Sequence, residues 1–111
     1  HAVIFPTLFE GWGLPVIEAF AAGKPVACSA VTSLPDTAGD AALLFDPHDT
    51  GAIAGAMRRL WSDDALAREL VHRGHERVKL FTWEQTARMF RDLYRETIRR
   101  HAGARHEAAH A

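Results

Sequence analysis

Ala2-Val3-Ile4-Phe5-Pro6, then Glu10-Gly11-Trp12-Gly13-Leu14-Pro15, then Val16-Ile17-Glu18-Ala19-Phe20-Ala21-Ala22: these three consecutive stretches decide how the chain folds. The first is a continuous apolar run closed by proline, the pattern of a short strand buried on both faces. The second is a glycine-bearing loop. The third predicts a helix, because Pro15 suits the first helical position and Gly23 is a natural stop. Pro25-Val26-Ala27-Cys28-Ser29 reads as a second buried strand. Strand, helix and strand at this spacing predict parallel strands joined by a right-handed crossover.

Working outward, Ser33-Leu34-Pro35-Asp36-Thr37 reads as one capped helical turn. Ala41-Ala42-Leu43-Leu44-Phe45 reads as a third strand, ended by Asp46-Pro47. The second half is helical. Asp49 or Thr50 can cap a helix from about Gly51 to Trp61, with Ile53, Met57, Leu60 and Trp61 on one side. Asp63 can cap the next, which carries Leu66, Leu70 and Val71. Thr82-Trp83-Glu84-Gln85 is a capping box that opens a long helix with Phe90, Leu93, Tyr94, Thr97 and Ile98 on its apolar face. Residues 102–111, rich in Ala and His, have no cap and no clear period, so a frayed tail is expected there. Trp61 and Trp83 are expected in the core, as is Cys28. The fold class is therefore α/β: three short parallel strands with flanking helices and a helical C-terminal half.

Composition sets bounds on function. The 111 residues and 12.3 kDa allow one domain, and 48% hydrophobic residues allow a real core. A net charge of −1 and a pI near 6.7 give no global basic field for nucleic acid. One cysteine excludes an intramolecular disulfide and any multi-thiolate metal site, and it fits a reducing compartment such as the cytoplasm. No apolar run approaches the roughly 18–20 residues that span a bilayer, and no signal peptide is expected. The charge is uneven. Residues 1–57 hold one Lys and six acids, whereas residues 58–111 hold twelve Lys and Arg against eight acids.

The most informative stretch is Glu10 to Glu18. It lies at the carboxyl end of the first strand, the edge where open α/β sheets bind ligands. The helix opened by Pro15 aims its N-terminus at the same edge, and its free N–H groups and dipole favour an anion such as phosphate. Gly11 and Gly13 remove Cβ atoms and let the backbone turn sharply or approach a ligand. Glu10 enters from the loop, and Glu18, eight residues later, can face the same crevice. A carboxylate accepts hydrogen bonds from vicinal hydroxyls. Two carboxylates flanking a phosphate-friendly helix end suit a molecule with hydroxyls at both ends and phosphate between, the layout of a nucleotide sugar. Taken singly, a Gly-x-Gly is an ordinary turn and Glu18 an ordinary solvated helix residue.

The string Phe9-Glu10-Gly11-Trp12-Gly13-Leu14-Pro15-Val16-Ile17-Glu18-Ala19 resembles the E-x7-E signature of retaining GT-B glycosyltransferases, family 4 in particular. Pro6-Thr7, Gly23-Lys24-Pro25-Val26, Leu34-Pro35-Asp36, the run from Gly39 to Pro47 and Phe81-Thr82-Trp83-Glu84 resemble that family's neighbouring segments, in order, over about residues 2–100. The resemblance implies that residues 1–101 form part of a C-terminal, donor-binding, Rossmann-like domain, followed by the tail at 102–111. It implies that Glu10 is the catalytic-site carboxylate meeting donor-sugar hydroxyls. It places Glu18 on the nucleotide ribose and sets Gly11, Gly13 and the Leu14 backbone against the sugar and diphosphate. The donor is a nucleotide diphosphate sugar such as a UDP-, GDP- or ADP-hexose. No cofactor and no metal are expected, because positive side chains and the helix end stabilise the departing diphosphate.

The departures from the family pattern are deletions. The acceptor-binding domain and the strands carrying the family's Arg/Lys pair lie outside this sequence. Lys24, the only lysine of the first half, sits at the far end of the helix from Glu10. The chain alone is therefore expected to be inactive. Its short sheet leaves an exposed edge, which predicts association with the missing N-terminal portion of an enzyme or with a second copy. A non-catalytic assembly module that keeps the fold is the alternative, and a nucleotide-sugar epimerase is a third reading. His72-x-x-His75 with Glu69 and Glu76 reads as a solvated helix face rather than a metal patch. Arg88, Arg91, Arg95 and Arg99 form a stripe that would suit peripheral contact with an anionic membrane surface. Acids interrupt it, so a face tied by Glu84–Arg88 and Glu96–Arg100 pairs is favoured. Trp12 either shapes the pocket or packs on its own loop.

Overall fold

The computed structural model describes residues 1–109, with side chains described through residue 102. The chain divides into two compact units, His1–Lys79 and Leu80–Ala111.

In the first unit, β1 (Val3–Phe5), β2 (Val26–Ser29) and β3 (Ala42–Phe45) form a parallel sheet in the order β1-β2-β3. Between them run α1 (Leu14–Ala21) and α2 (Leu34–Ala38), and after them come α3 (Thr50–Ser62) and α4 (Asp64–Val78). This is the expected α/β architecture of part of a Rossmann-like domain. The register pairs Ile4 with Ala27 and Ala27 with Leu43, so the side chains that alternate along each strand line up in rows across the sheet. One row set, Val3, Phe5, Val26, Cys28 and Ala42, packs with Val16, Ala19 and Phe20 of α1 and with Leu34 and Ala38 of α2. The opposite row set, Ile4, Ala27, Leu43 and Phe45, packs with Ala56 and Leu60 of α3 and with Leu66 and Leu70 of α4. Two-sided burial is why the strands read as unbroken apolar runs. It is complete only at the central strand, where Val26, Ala27, Cys28 and Ser29 are all buried.

The helix starts follow their caps. The Asp49 carboxylate accepts from the Ala52 N–H at 2.9 Å, and the Asp63 carboxylate accepts from the Leu66 N–H at 2.9 Å. Ser33 departs from expectation: it makes no cap bond to α2, because its backbone is helical (φ −82, ψ −12) rather than extended as a cap requires, and Pro35 in the first turn has no N–H to give. The other end of α2 is closed from α4. The Arg77 guanidinium donates to the Asp36 and Thr37 carbonyls, a cation on the carbonyl end of a helix. α4 also packs on α1 at a close approach, where a Cβ on Gly74 would stand 2.8 Å from the Phe20 ring. Trp61 is a correction: it lies 78% exposed, its ring beside that of His1, while Ala56 and Leu60 supply the buried face of α3.

The second unit holds α5 (Trp83–Ala109). The Thr82 hydroxyl accepts from the Gln85 N–H at 3.2 Å, as the capping box requires. Glu96 pairs with both Arg99 and Arg100, whereas the expected Glu84–Arg88 pair is not formed. A single helix has nothing in its own unit against which to bury a stripe, so Phe90, Leu93, Tyr94 and Ile98 are exposed, and Trp83 with them. The helix continues to Ala109, past the start of the tail expected from residue 102, because alanine is the best helix former; residues 110–111 lie outside the described residues.

Two outcomes follow from this packing. Gly74→Ala forces the buried Phe20 ring to shift, a cost of about 1–3 kcal/mol that outweighs the roughly 1 kcal/mol gained in helix propensity, so the melting temperature falls. Burial pushes the Cys28 thiol up from 9.0 to about 11. Native Cys28 therefore resists alkylation at pH 8. Because the folded state holds the proton more tightly, stability is unaffected below about pH 9 and declines as pH rises through 11, which denaturant titrations across that range would record.

Candidate functional site at the carboxyl edge of the sheet

The β1–α1 connection rises from the carboxyl end of the sheet and turns into α1 at Gly13. Gly13 is in the left-handed region, with φ +84, and a Cβ there would come within 2.4 Å of Leu34 Cδ2. Both facts demand glycine. Gly11 is different: it has open space around it and no positive φ, so nothing in the fold requires a glycine there.

Glu10 sits beside this turn. The Cβ position of Gly13 is 3.8 Å from Glu10 Cγ, which puts the carboxylate next to the start of α1. Its Oε1 accepts from the Gly11 N–H at 3.0 Å and from the Trp12 N–H at 3.4 Å. Oε2 has no donor among the described residues. The carboxylate is thus fixed by one oxygen and leaves the other open.

α1 begins without a side-chain cap, unlike α3, α4 and α5. Val16 and Ile17 both give their N–H groups to the Gly13 carbonyl, and Pro15 has none, which leaves the Leu14 N–H as the helix's spare donor. Glu18 lies on the exposed side of α1, away from the buried Val16, Ala19 and Phe20. It is four residues from Leu14, so the two share one stripe, and side chains on a helix lean toward its N-terminus. The Glu18 carboxylate makes no hydrogen bond or ion pair among the described residues, although the Glu18 carbonyl accepts from the Ala22 N–H at 2.9 Å. Both glutamates and the start of α1 therefore gather at one edge. Lys24 follows the other end of α1, its N–H donating to Ala19, as the sequence predicted.

Three hydroxyl residues were not recognised from the sequence. Thr32 Oγ1 accepts from the Glu10 N–H at 3.2 Å and donates to the Glu10 carbonyl at 2.8 Å. The Ser33 hydroxyl donates to the same carbonyl at 3.2 Å, and the Thr37 hydroxyl donates to the Trp12 carbonyl at 2.7 Å. Thr32 does this from φ +49, a conformation a β-branched residue rarely adopts and that costs of order 1–3 kcal/mol. These partners are 22–25 residues away in sequence, so no local motif reveals them. Trp12 is 43% exposed.

The carboxylates beside the histidine pair on α4 are each engaged by a cation. Glu69 is engaged by Arg73 at 2.8 Å and Glu76 by Lys79 at 2.6 Å, and the Lys79 ammonium holds the Glu76 carboxyl below the usual carboxylate range. No group of three or more potential ligands among the described residues could hold a metal ion. No described helix is long and apolar enough to cross a membrane.

Comparison with known proteins places this geometry in context. The O-antigen chain mannosyltransferase B of Escherichia coli is 43% identical over 81 residues, covering 73% of this chain and 21% of that protein. A D-inositol 3-phosphate glycosyltransferase of a Nocardioides species is 40% identical over 95 residues, covering 84% of this chain and 21% of that protein. Among solved structures, the sucrose-phosphate synthase of Thermosynechococcus elongatus superposes with a TM-score of 0.76 at 42% identity, over 86% of this chain and 25% of that one. The chain thus spans about one fifth to one quarter of the length of these relatives. The family model for glycosyl transferases group 1 matches residues 1–77, the strands, the glutamate-bearing loop and the first four helices almost to the end of α4, and the chain belongs to that family.

Proposed function

We propose that this chain is the donor-binding part of a retaining glycosyltransferase of family 4, with Glu10 and Glu18 as the two acids of an E-x7-E signature. The observation that carries the reading is the arrangement at the carboxyl edge. A carboxylate with one oxygen anchored and one open stands beside a helix start that no side chain caps. In this reading the open oxygen of Glu10 accepts hydrogen bonds from hydroxyls of the donor sugar. The Leu14 N–H and the helix dipole face the diphosphate, and Glu18 holds the ribose. Gly11 gives the donor close access to the backbone, which accounts for a glycine that the fold does not need. The donor is a nucleotide diphosphate sugar, and no metal or other cofactor is invoked. Stabilising the diphosphate as it departs falls to the helix end and to cations supplied by the rest of a longer enzyme.

A partner is part of this proposal. β1 is an edge strand, and on the side of Ile4 a cleft of about 760 Å³ is lined by Ile4, Met57, Leu60, Trp61 and Val71 among others. The remainder of the enzyme covers this surface, or a second copy does. Sedimentation of the chain alone separates the two: a dimer that dissociates in Trp61→Glu indicates self-association, and a monomer at all concentrations excludes it. Peripheral membrane contact through the α5 arginines would be read out by binding to anionic vesicles.

The function itself is tested by ligand-observed NMR titration with UDP, GDP, ADP and their glucose or mannose conjugates. One nucleotide is expected to bind. Glu18→Gln weakens that nucleotide, whereas Glu10→Gln weakens only the sugar conjugate, each by about three- to tenfold, the equivalent of one hydrogen bond. Gly11→Ala also weakens the conjugate but leaves the melting temperature unchanged. Absence of binding by every nucleotide would refute a donor site in this chain.

A further inference from the structure

We propose that Thr32 is a positioning residue for Glu10, holding the backbone of the glutamate so that its open carboxylate oxygen meets the donor sugar at a fixed place. The inference rests on the donor-site reading above and adds to it the part that sets the geometry.

Thr32 uses both capacities of one hydroxyl on both polar groups of one residue. It accepts from the Glu10 N–H at 3.2 Å and donates to the Glu10 carbonyl at 2.8 Å. A hydroxyl can do both at once because it carries one donor and two lone pairs. The Glu10 peptide groups have no strand or helix to bond to, since the residue lies in the loop between β1 and α1. Ser33 adds a second donor to the same carbonyl at 3.2 Å, and Thr37 holds the Trp12 carbonyl at 2.7 Å. The carboxylate is in turn fixed by the Gly11 and Trp12 amides. The chain of constraint therefore runs from Thr32 to the Glu10 backbone, and from the Gly11 and Trp12 backbone to Glu10 Oε1. Loss of the first link loosens the second.

The position of Thr32 argues against an incidental contact. It stands at φ +49 on a β-branched residue, where glycine or asparagine would be at ease. A threonine kept in that conformation implies that its side chain contributes something that offsets the backbone cost, and the two bonds to Glu10 are what it makes. The residue is itself exposed. The contribution is therefore not burial of its methyl group.

The test compares three variants of the full chain. Thr32→Val keeps the β-branched shape and the backbone cost but removes the hydroxyl. Thr32→Ser keeps the hydroxyl. Glu10→Gln removes the charge that Thr32 is proposed to place. Each is titrated with UDP against UDP-glucose and GDP against GDP-mannose, and the readout is the ratio of conjugate to nucleotide affinity. Thr32→Val should lower that ratio about five- to tenfold, the equivalent of one or two hydrogen bonds, with nucleotide affinity unchanged, and Thr32→Ser should restore it. A second readout needs no variant: the Glu10 amide of the unmodified chain should exchange with solvent far more slowly than an unbonded loop amide. If Glu10→Gln lowers the ratio and Thr32→Val does not, the positioning role is overturned while the donor site stands. If Glu10→Gln leaves the ratio unchanged, or no conjugate binds, the donor-site reading fails and this inference fails with it. A Thr32→Val protein that does not fold leaves the decision to exchange, and a fast Glu10 amide there overturns the proposal.

Discussion

The absence of a side chain at Gly13 is the constraint on which this edge of the molecule depends. At φ +84 the backbone turns from loop into α1, and the space a Cβ would need is occupied by Leu34, 2.4 Å away. Leu34 is fully buried at the start of α2. The contact therefore draws the loop after β1 against the segment after β2. Only at that separation can Thr32, Ser33 and Thr37 reach the carbonyls of Glu10 and Trp12. Packing brings the two loops together, and hydrogen bonds then fix their register. The order matters, because hydrogen bonds on exposed loops each contribute only about 1 kcal/mol and could not assemble the loops unaided.

Much of the architecture was legible because it rests on local rules. The three strands, the helix opened by Pro15 and the caps at Asp49, Asp63 and Thr82 follow from proline position, apolar runs and cap chemistry, and the structure has them within a residue or two. Trp61 was misplaced for a different reason. Periodicity identifies a helix face wide enough to include Met57 and Trp61, but the sheet covers only the part of it at Ala56 and Leu60. Ser33 before Leu34-Pro35 has the local pattern of a cap, yet its backbone is helical rather than extended, and its hydroxyl donates to a carbonyl 23 residues away. The backbone angles that decide a cap are set by the tertiary packing of this loop, which the local pattern does not show.

The site divides along the same line. Glu10, Gly13 and the start of α1 could be placed from sequence because they are neighbours along the chain. The geometry that fixes Glu10 could not, since its partners come from the next crossover. Gly11 and Gly13 looked equivalent as letters. The structure separates them: one glycine is demanded by φ and by Leu34, and the other is free of both. A glycine without a structural reason is more informative about a ligand than one with it.

Holding the Glu10 loop by hydroxyls rather than charges leaves its carboxylate free to accept from hydroxyl groups, as the proposed donor sugar requires. A lysine or arginine clamping the loop would neutralise the carboxylate and compete with hydroxyl groups for its lone pairs. Neutral hydroxyls bonded to backbone carbonyls leave the charge on Glu10 untouched and its second oxygen open. The arginines that do act as clamps, Arg73 and Arg77, are on α4 and close the far end of α2, where Arg77 caps carbonyls and Arg73 pairs with Glu69 and Asp40. Arg73 and Arg77 thus act at the end of α2, on carbonyls and on Asp40. The β1–α1 edge keeps a negative charge, an uncapped helix start and polar groups already satisfied by one another. A loop already held by its own hydrogen bonds would lose little conformational freedom on binding the proposed donor.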